Sequence, residues 1–148
     1  MTAPTFLFDE NFPSAIPTAL RLFTFDTVHT LDHLARGTPD EEIFAFLASR
    51  GWYWVSHDRR VVRNPHQRAA LITAGIGAFI LTGRVHRTTE QMMAFMVTAM
   101  ADLVRSATQN CCDPLASGAE GRGFESRRAH PLTASRSQCQ PPSREHPA

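Results

Sequence analysis

The sequence predicts an α/β fold with a short, mostly parallel sheet of about four strands, on three observations. Short strand-like runs alternate with segments of helical periodicity, in the order β-α-β-α-β-α-β-α. Most of these runs are apolar throughout, as strands covered by helices on both faces are. The pattern is confined to the first ~110 residues, a length that supports one hydrophobic core.

The elements follow in order. Thr5-Phe6-Leu7-Phe8 reads as a buried strand ending at Asp9-Glu10-Asn11. A helix opens at Pro13-Ser14 and carries Ile16, Ala19, Leu20 and Phe23, with Pro17 in its first turn. Residues 26–31 form a second strand, with Val28 among polar neighbours, as near a sheet edge. Thr38-Pro39-Asp40-Glu41 starts the next helix, with threonine at the N-cap, proline first inside and glutamate completing a capping box. Ile43, Phe44, Leu47 and Ala48 form its apolar face, and Gly51 stops it. Trp52-Tyr53-Trp54-Val55 is a strand by its aromatic and β-branched content, followed by Ser56-His57-Asp58. A helix from Pro65 to Ala74 closes at Gly75, and Ala78-Phe79-Ile80-Leu81 is the fourth strand. Thr88 and Gln91 cap a long helix reaching about Thr108, with Met92, Met93, Met96, Ala99, Met100, Leu103 and Val104 at helical spacing. No internal repeat is present.

The chain has 148 residues and a formal net charge of +1, with 15 basic residues, all arginine. Near-neutral charge argues against a polybasic nucleic-acid coat, though not against a local basic groove. No apolar run approaches the ~20 residues of a membrane-spanning helix, and Met1 to Phe8 does not read as a signal peptide. The three cysteines, Cys111, Cys112 and Cys139, all lie beyond Asn110, which excludes a disulfide framework for the fold. A reducing cytoplasm is the expected location. Residues 111–148 hold five of the ten prolines and one aromatic, Phe124, so the expected division is a domain over 1–110 and a disordered tail over 111–148.

In open α/β sheets ligands bind beyond the carboxyl ends of the strands. Asp9 and Asp58 follow two strands there, and Asp40 begins a helix whose N-terminus faces the same edge. Ile43, Phe44 and Leu47 lie three, four and seven residues after Asp40, which puts it on the stripe facing the sheet. Three converging carboxylates repel one another unless a cation neutralises them, and hard oxygen donors without cysteine suit Mg²⁺ or Mn²⁺. Each acid also has an ordinary reading. Asp40 and Glu41 favour a helix dipole, Asp58 beside Arg59 and Arg60 suits a surface ion pair, and Asp9-Glu10-Asn11 suits a turn. His57 reads as structural, His29 and His33 lack a third zinc ligand, and the methionines read mainly as packing. The long helix is apolar over so much of its circumference that a homodimer or a partner helix is expected against it. Asparagine at Asp9 or Asp58 is expected to relieve repulsion.

Phe6-Leu7-Phe8-Asp9-Glu10-Asn11, Gly37 to Ile43, Val55-Ser56-His57-Asp58-Arg59-Arg60 and Gly77 to Gly83 together resemble PIN-like domains, including the VapC-type toxins of bacterial toxin–antitoxin pairs. The resemblance covers roughly residues 5–105. It implies a three-layer α/β/α PIN-like fold and a Mg²⁺- or Mn²⁺-dependent endoribonuclease. Asp9, Asp40 and Asp58 match its catalytic, metal-binding acids; Glu10, Asn11, Glu41, Ser56 and Thr82 would be accessory, and Arg59 and Arg60 would meet RNA. It also implies an RNA substrate and an antitoxin protein as partners. PIN nucleases commonly carry a further acid after the fourth strand, where this chain offers Thr82, with Glu90 further on. That departure keeps open a second reading, a catalytically degenerate module that binds RNA or protein. A response-regulator receiver would share the acidic pattern, but it requires a lysine and this chain has none. Within the tail, residues 123–131 resemble the translated T-arm of a transfer-RNA gene, which implies a frameshift or read-through into a neighbouring gene; a low-complexity linker is the alternative.

Overall fold

The structure, a computed structural model, describes residues 3–81, 88–109 and 124–128. Four strands lie parallel: β1 (Phe6–Phe8), β2 (Thr27–His29), β3 (Tyr53–Ser56) and β4 (Gly77–Leu81). Their order is β2-β1-β3-β4, so the chain steps from β1 to one side and then crosses back to the other. The helices are α1 (Ala15–Arg21), α2 (Asp40–Arg50), α3 (Arg60–Arg63), α4 (Pro65–Ala74) and α5 (Thr89–Gln109). A fifth strand, β5 (Phe124–Arg128), pairs antiparallel with β4. It falls in the segment whose composition predicts disorder. Strand pairing uses backbone groups, so the free edge of β4 supplies partners that a core-poor sequence does not need side chains to earn. The other residues of 111–148 lie outside the described residues.

Strand alternation sorts the side chains into two cores. Phe6, Phe8, Val55, Phe79 and Leu81 face Ile16 and Leu20 of α1 and Met92, Met96, Met100 and Leu103 of α5. Leu7, Trp54, Ala78 and Ile80 face Ile43, Phe44 and Leu47 of α2, Val61 of α3 and Leu71 of α4. This is the three-layer α/β/α arrangement. Because successive strand residues serve opposite cores, the runs are apolar at every position.

Several local expectations are corrected. The capping box at Thr38 does not form: Thr38 Oγ1 donates to the Ala35 carbonyl instead (2.6 Å), and α2 begins one turn-position later, after Pro39. Gly51 does stop α2 in the left-handed conformation (φ 66°). The capping box of α5 does form, through Gln91 N–H to Thr88 Oγ1 and Thr88 N–H to Gln91 Oε1. The first helix ends at Arg21, short of Phe23; Leu22 and Phe23 are the exposed large apolar residues among those described. Strand β2 lies at the sheet edge as expected, yet its polar residues Thr27 and His29 are buried and Val28 is half-buried. Thr27 Oγ1 donates to the Pro17 carbonyl (2.7 Å), which makes burial of that hydroxyl affordable. On α5, Met93, Phe95, Val97 and Val104 pack half-buried against the same core.

Tyr53 joins the sheet to α5. Its hydroxyl donates to the Ala107 carbonyl (3.0 Å), and its ring lies over Gly77 on the adjacent strand, so close that a Cβ at residue 77 would overlap ring carbons. Gly77→Ala is therefore expected to destabilise the fold by about 1–3 kcal/mol, the usual range for overpacking. Urea unfolding checks this, and Tyr53→Ala should remove most of the penalty of the Gly77 substitution in a double-mutant cycle.

Candidate active site

The strand order reverses at β1, and the crevice opens where β1 and β3 diverge at their carboxyl ends. A cavity of about 290 Å³ lies there, lined by Asp9, Glu10, Asn11, Asp40, Asp58 and Arg60, with Trp54 and Gln67 among the other walls. The three acids singled out by the sequence thus come from three elements to one cavity.

Asp9 follows β1 directly and is 6% exposed. Its Oδ2 accepts from Ser56 Oγ (2.9 Å) and Asn11 Nδ2 (3.1 Å), and its Oδ1 accepts from the Glu10 N–H (2.8 Å). Ser56 is fully buried beneath it and accepts from the Asp58 N–H (3.0 Å), tying the exits of β1 and β3 together. His57 Nε2 donates to the Asn11 carbonyl (3.0 Å). His29 accepts from the Leu31 N–H at Nδ1, so its proton is on Nε2, which donates to the Phe12 carbonyl (2.8 Å). Both histidines are structural here: they hold the loop that carries Asp9.

Asp40 is positioned by two contacts that the sequence did not announce. The Gly37 N–H donates to Glu10 Oε2 (3.1 Å), fixing the turn before α2, and Gln67 Nε2 of α4 donates to Asp40 Oδ2 (2.6 Å). Gln67 in turn is placed by Asn64, whose Oδ1 caps α4 through the His66 and Gln67 N–H groups. Asparagine before Pro65 was a readable N-cap signal; the Asp40–Gln67 pairing, between separate helices, had none. Gln67 Oε1 and Trp54 Nε1, both buried at the cavity, have no hydrogen-bond partner.

Asp58 is held by Arg60. The Arg60 Nε lies 3.0 Å from both Asp58 oxygens, its Nη2 lies 2.7 Å from Oδ2, and its backbone N–H donates to Oδ1 (2.9 Å). The Arg60 hydrogen bonds hold the Asp58 carboxyl below its ordinary range. Asp40 is shifted upward, first by burial and then by the charges of Asp9, Asp58 and Glu41, against a smaller opposing effect of Arg60. Glu41 itself is exposed and, like Ser56 and Arg59, does not line the cavity. Thr82 lies outside the described residues. Glu90 serves the first turn of α5, where its own N–H and Thr88 lower its carboxyl.

The donor set fits a hard divalent cation. Among the described residues Asp40 Oδ1 has no hydrogen-bond partner, and Asp9 Oδ1 has only one, so both acids present open oxygens. The acids do not stand in a ligating constellation, however: no group of three His, Cys, Asp or Glu side chains among the described residues is close enough to hold an ion together. Both oxygens of Asp58 are engaged by Arg60.

Residues 4–83, more than half of the chain, match the family described as PIN like domain. The chain belongs to that family. The match contains β1 to β4 and all three acids; α5 lies beyond it. No curated protein and no solved structure matches the chain. No helix among the described residues is long and apolar enough to cross a membrane.

The opposite shifts of Asp40 and Asp58 make a pH prediction. A carboxyl raised on folding binds its proton more tightly in the native state, so stability declines as pH rises from the ordinary value of 3.8 through the raised one. Asp40→Asn removes that cost and keeps an acceptor for Gln67. The metal-free variant should melt a few degrees above the parent at neutral pH, with the gap closing as pH falls towards 3.8. Asp58 has the reverse sign: its stabilisation is present above 3.8 and is lost as pH falls through its lowered value. Asp58→Asn should therefore lower the neutral-pH midpoint, and Asp9→Asn should do so too, because its amide would confront donors. Both expectations reverse the simple repulsion argument. Thermal melts of the three variants from pH 3 to 8, in chelator, check them.

Proposed function

We propose that this protein is a Mg²⁺- or Mn²⁺-dependent endoribonuclease and the toxin of a toxin–antitoxin pair, acting in the cytoplasm. The observation that carries the reading is the convergence of Asp9, Asp40 and Asp58 on one cavity at the sheet's switch point, where burial and then the charges of Asp9 and Asp58 raise the Asp40 carboxyl. Clustered acids that perturb one another in a cleft mark a site kept for chemistry rather than stability.

In this reading Asp9, Asp40 and Asp58 would hold the ion, which would supply an activated water and charge stabilisation for hydrolysis of an RNA phosphodiester. Ser56 and Asn11 orient the Asp9 carboxylate. Gln67 orients Asp40, and Glu10 holds the turn that delivers it. Arg59 and Arg60, at the start of α3, supply positive charge for the RNA backbone. The exposed Leu22 and Phe23 offer an apolar surface for an antitoxin.

One observation favours a second reading, a PIN-like module that only binds RNA or protein: Asp58 is already neutralised by Arg60. Incubation with total RNA and Mg²⁺ or Mn²⁺ separates the two. Cleavage by the parent, reduced more than tenfold in Asp9→Asn and in Asp40→Asn and abolished by chelator, is the expected outcome. RNA retention without cleavage at any divalent concentration would establish the binding module instead.

A further inference from the structure

Arg60 stands differently towards the cavity from the other charged groups. Its guanidinium engages both carboxylate oxygens of Asp58, while Asp9 and Asp40 keep open oxygens. Its positive charge is also felt by Asp40 and Asp9. The Arg60 side chain is 83% exposed whereas the Asp58 side chain is 20% exposed, so the arginine can swing into solvent with little desolvation change and the carboxylate stays. Arg60 starts the four-residue helix α3, and the side-chain contact spans only two residues, so breaking it disturbs no distant packing.

Resting on the metal-dependent reading above, we infer that Arg60 is a displaceable internal counter-ion: it occupies Asp58 in the metal-free protein and competes with the divalent cation for that ligand. The arrangement sets the metal affinity below what the three acids alone would give. It also keeps the metal-free site from carrying three uncompensated negative charges.

The test measures binding, not catalysis, on the full chain. Mn²⁺ titration calorimetry is run on the parent, Arg60→Gln and Arg63→Gln; the last removes an exposed arginine from the same short helix and serves as the control for general charge. Exposed ion pairs are weak, so the expected gain for Arg60→Gln is about three- to fivefold in Mn²⁺ affinity, with Arg63→Gln near the parent. In the parent, the Arg60 Nε–H resonance should shift on Mg²⁺ addition with the same half-saturation as binding, which reads the displacement without a variant. Equal gains in Arg60→Gln and Arg63→Gln, or a parent Arg60 resonance that ignores bound Mg²⁺, would overturn the inference while leaving the metal site standing. Absence of divalent binding in all three proteins would overturn the metal-dependent reading and this inference with it.

Discussion

Burial of a carboxylate at the end of β1 is the constraint on which the site depends. Asp9 is almost completely enclosed, and a polar group there is tolerable only if hydrogen-bond partners replace the water it loses. Ser56, Asn11 and the Glu10 amide do so. Meeting that need fixes much else: Ser56 must end β3 beside β1, and the backbone of 9–12 must curl so that Asn11 reaches back. The carbonyls exposed by the curl are taken up by His57 and His29. The two histidines thus follow from the acid.

The fold makes this possible by supplying rigidity from elsewhere. Two apolar cores, one under α1 and α5 and one under α2, α3 and α4, clamp a sheet of short strands. Placing β1 between β2 and β3 sends successive connections to opposite sides and leaves the crevice open above the central strands. Polar atoms can then collect at that rim without competing with the packing below. Trp54 marks the boundary, its ring packed edge-on against Phe44 in the core while the residue also lines the cavity.

The fold was legible because each face of the sheet is buried: uninterrupted apolar runs, Gly51 and Gly75 as stops, and the Thr88–Gln91 pair all carry local physics that survives tertiary context. Thr38 misled because its hydroxyl found a closer backbone partner at Ala35 than the helix it was expected to cap. Edge strand β2 misled in its polarity, because polar groups may be buried wherever carbonyls of α1 and its approach need donors. For the site, the three acids were readable from position alone: after a strand, after a strand, at a helix start. Gln67, the Glu10–Gly37 link and the grip of Arg60 on Asp58 were not. The first two join residues 27 apart on different elements, where no periodicity connects them. Arg60 was visible as a neighbour, but only its rotamer shows that it closes on Asp58.

These cross-links hold the acids where burial first, and then the charges of Asp9, Asp58 and Glu41, raise the Asp40 carboxyl. Glu10 binds the loop of Asp9 to the turn before α2; Gln67 binds Asp40 to α4; Ser56 binds Asp9 to the backbone of Asp58. Asp9 and Asp40 are therefore each tied to an element other than their own, and moving either outward would break a bond to a neighbour. A looser site would relax the field by letting the carboxylates drift apart into water. Asp9 has three donors and Asp58 has a guanidinium, whereas Asp40 has a single amide, and it is the Asp40 carboxyl that rises. The same rigidity that raises Asp40 would hold its open oxygen in place for an incoming cation, so the cost to the metal-free protein and the capacity of the site have one structural origin.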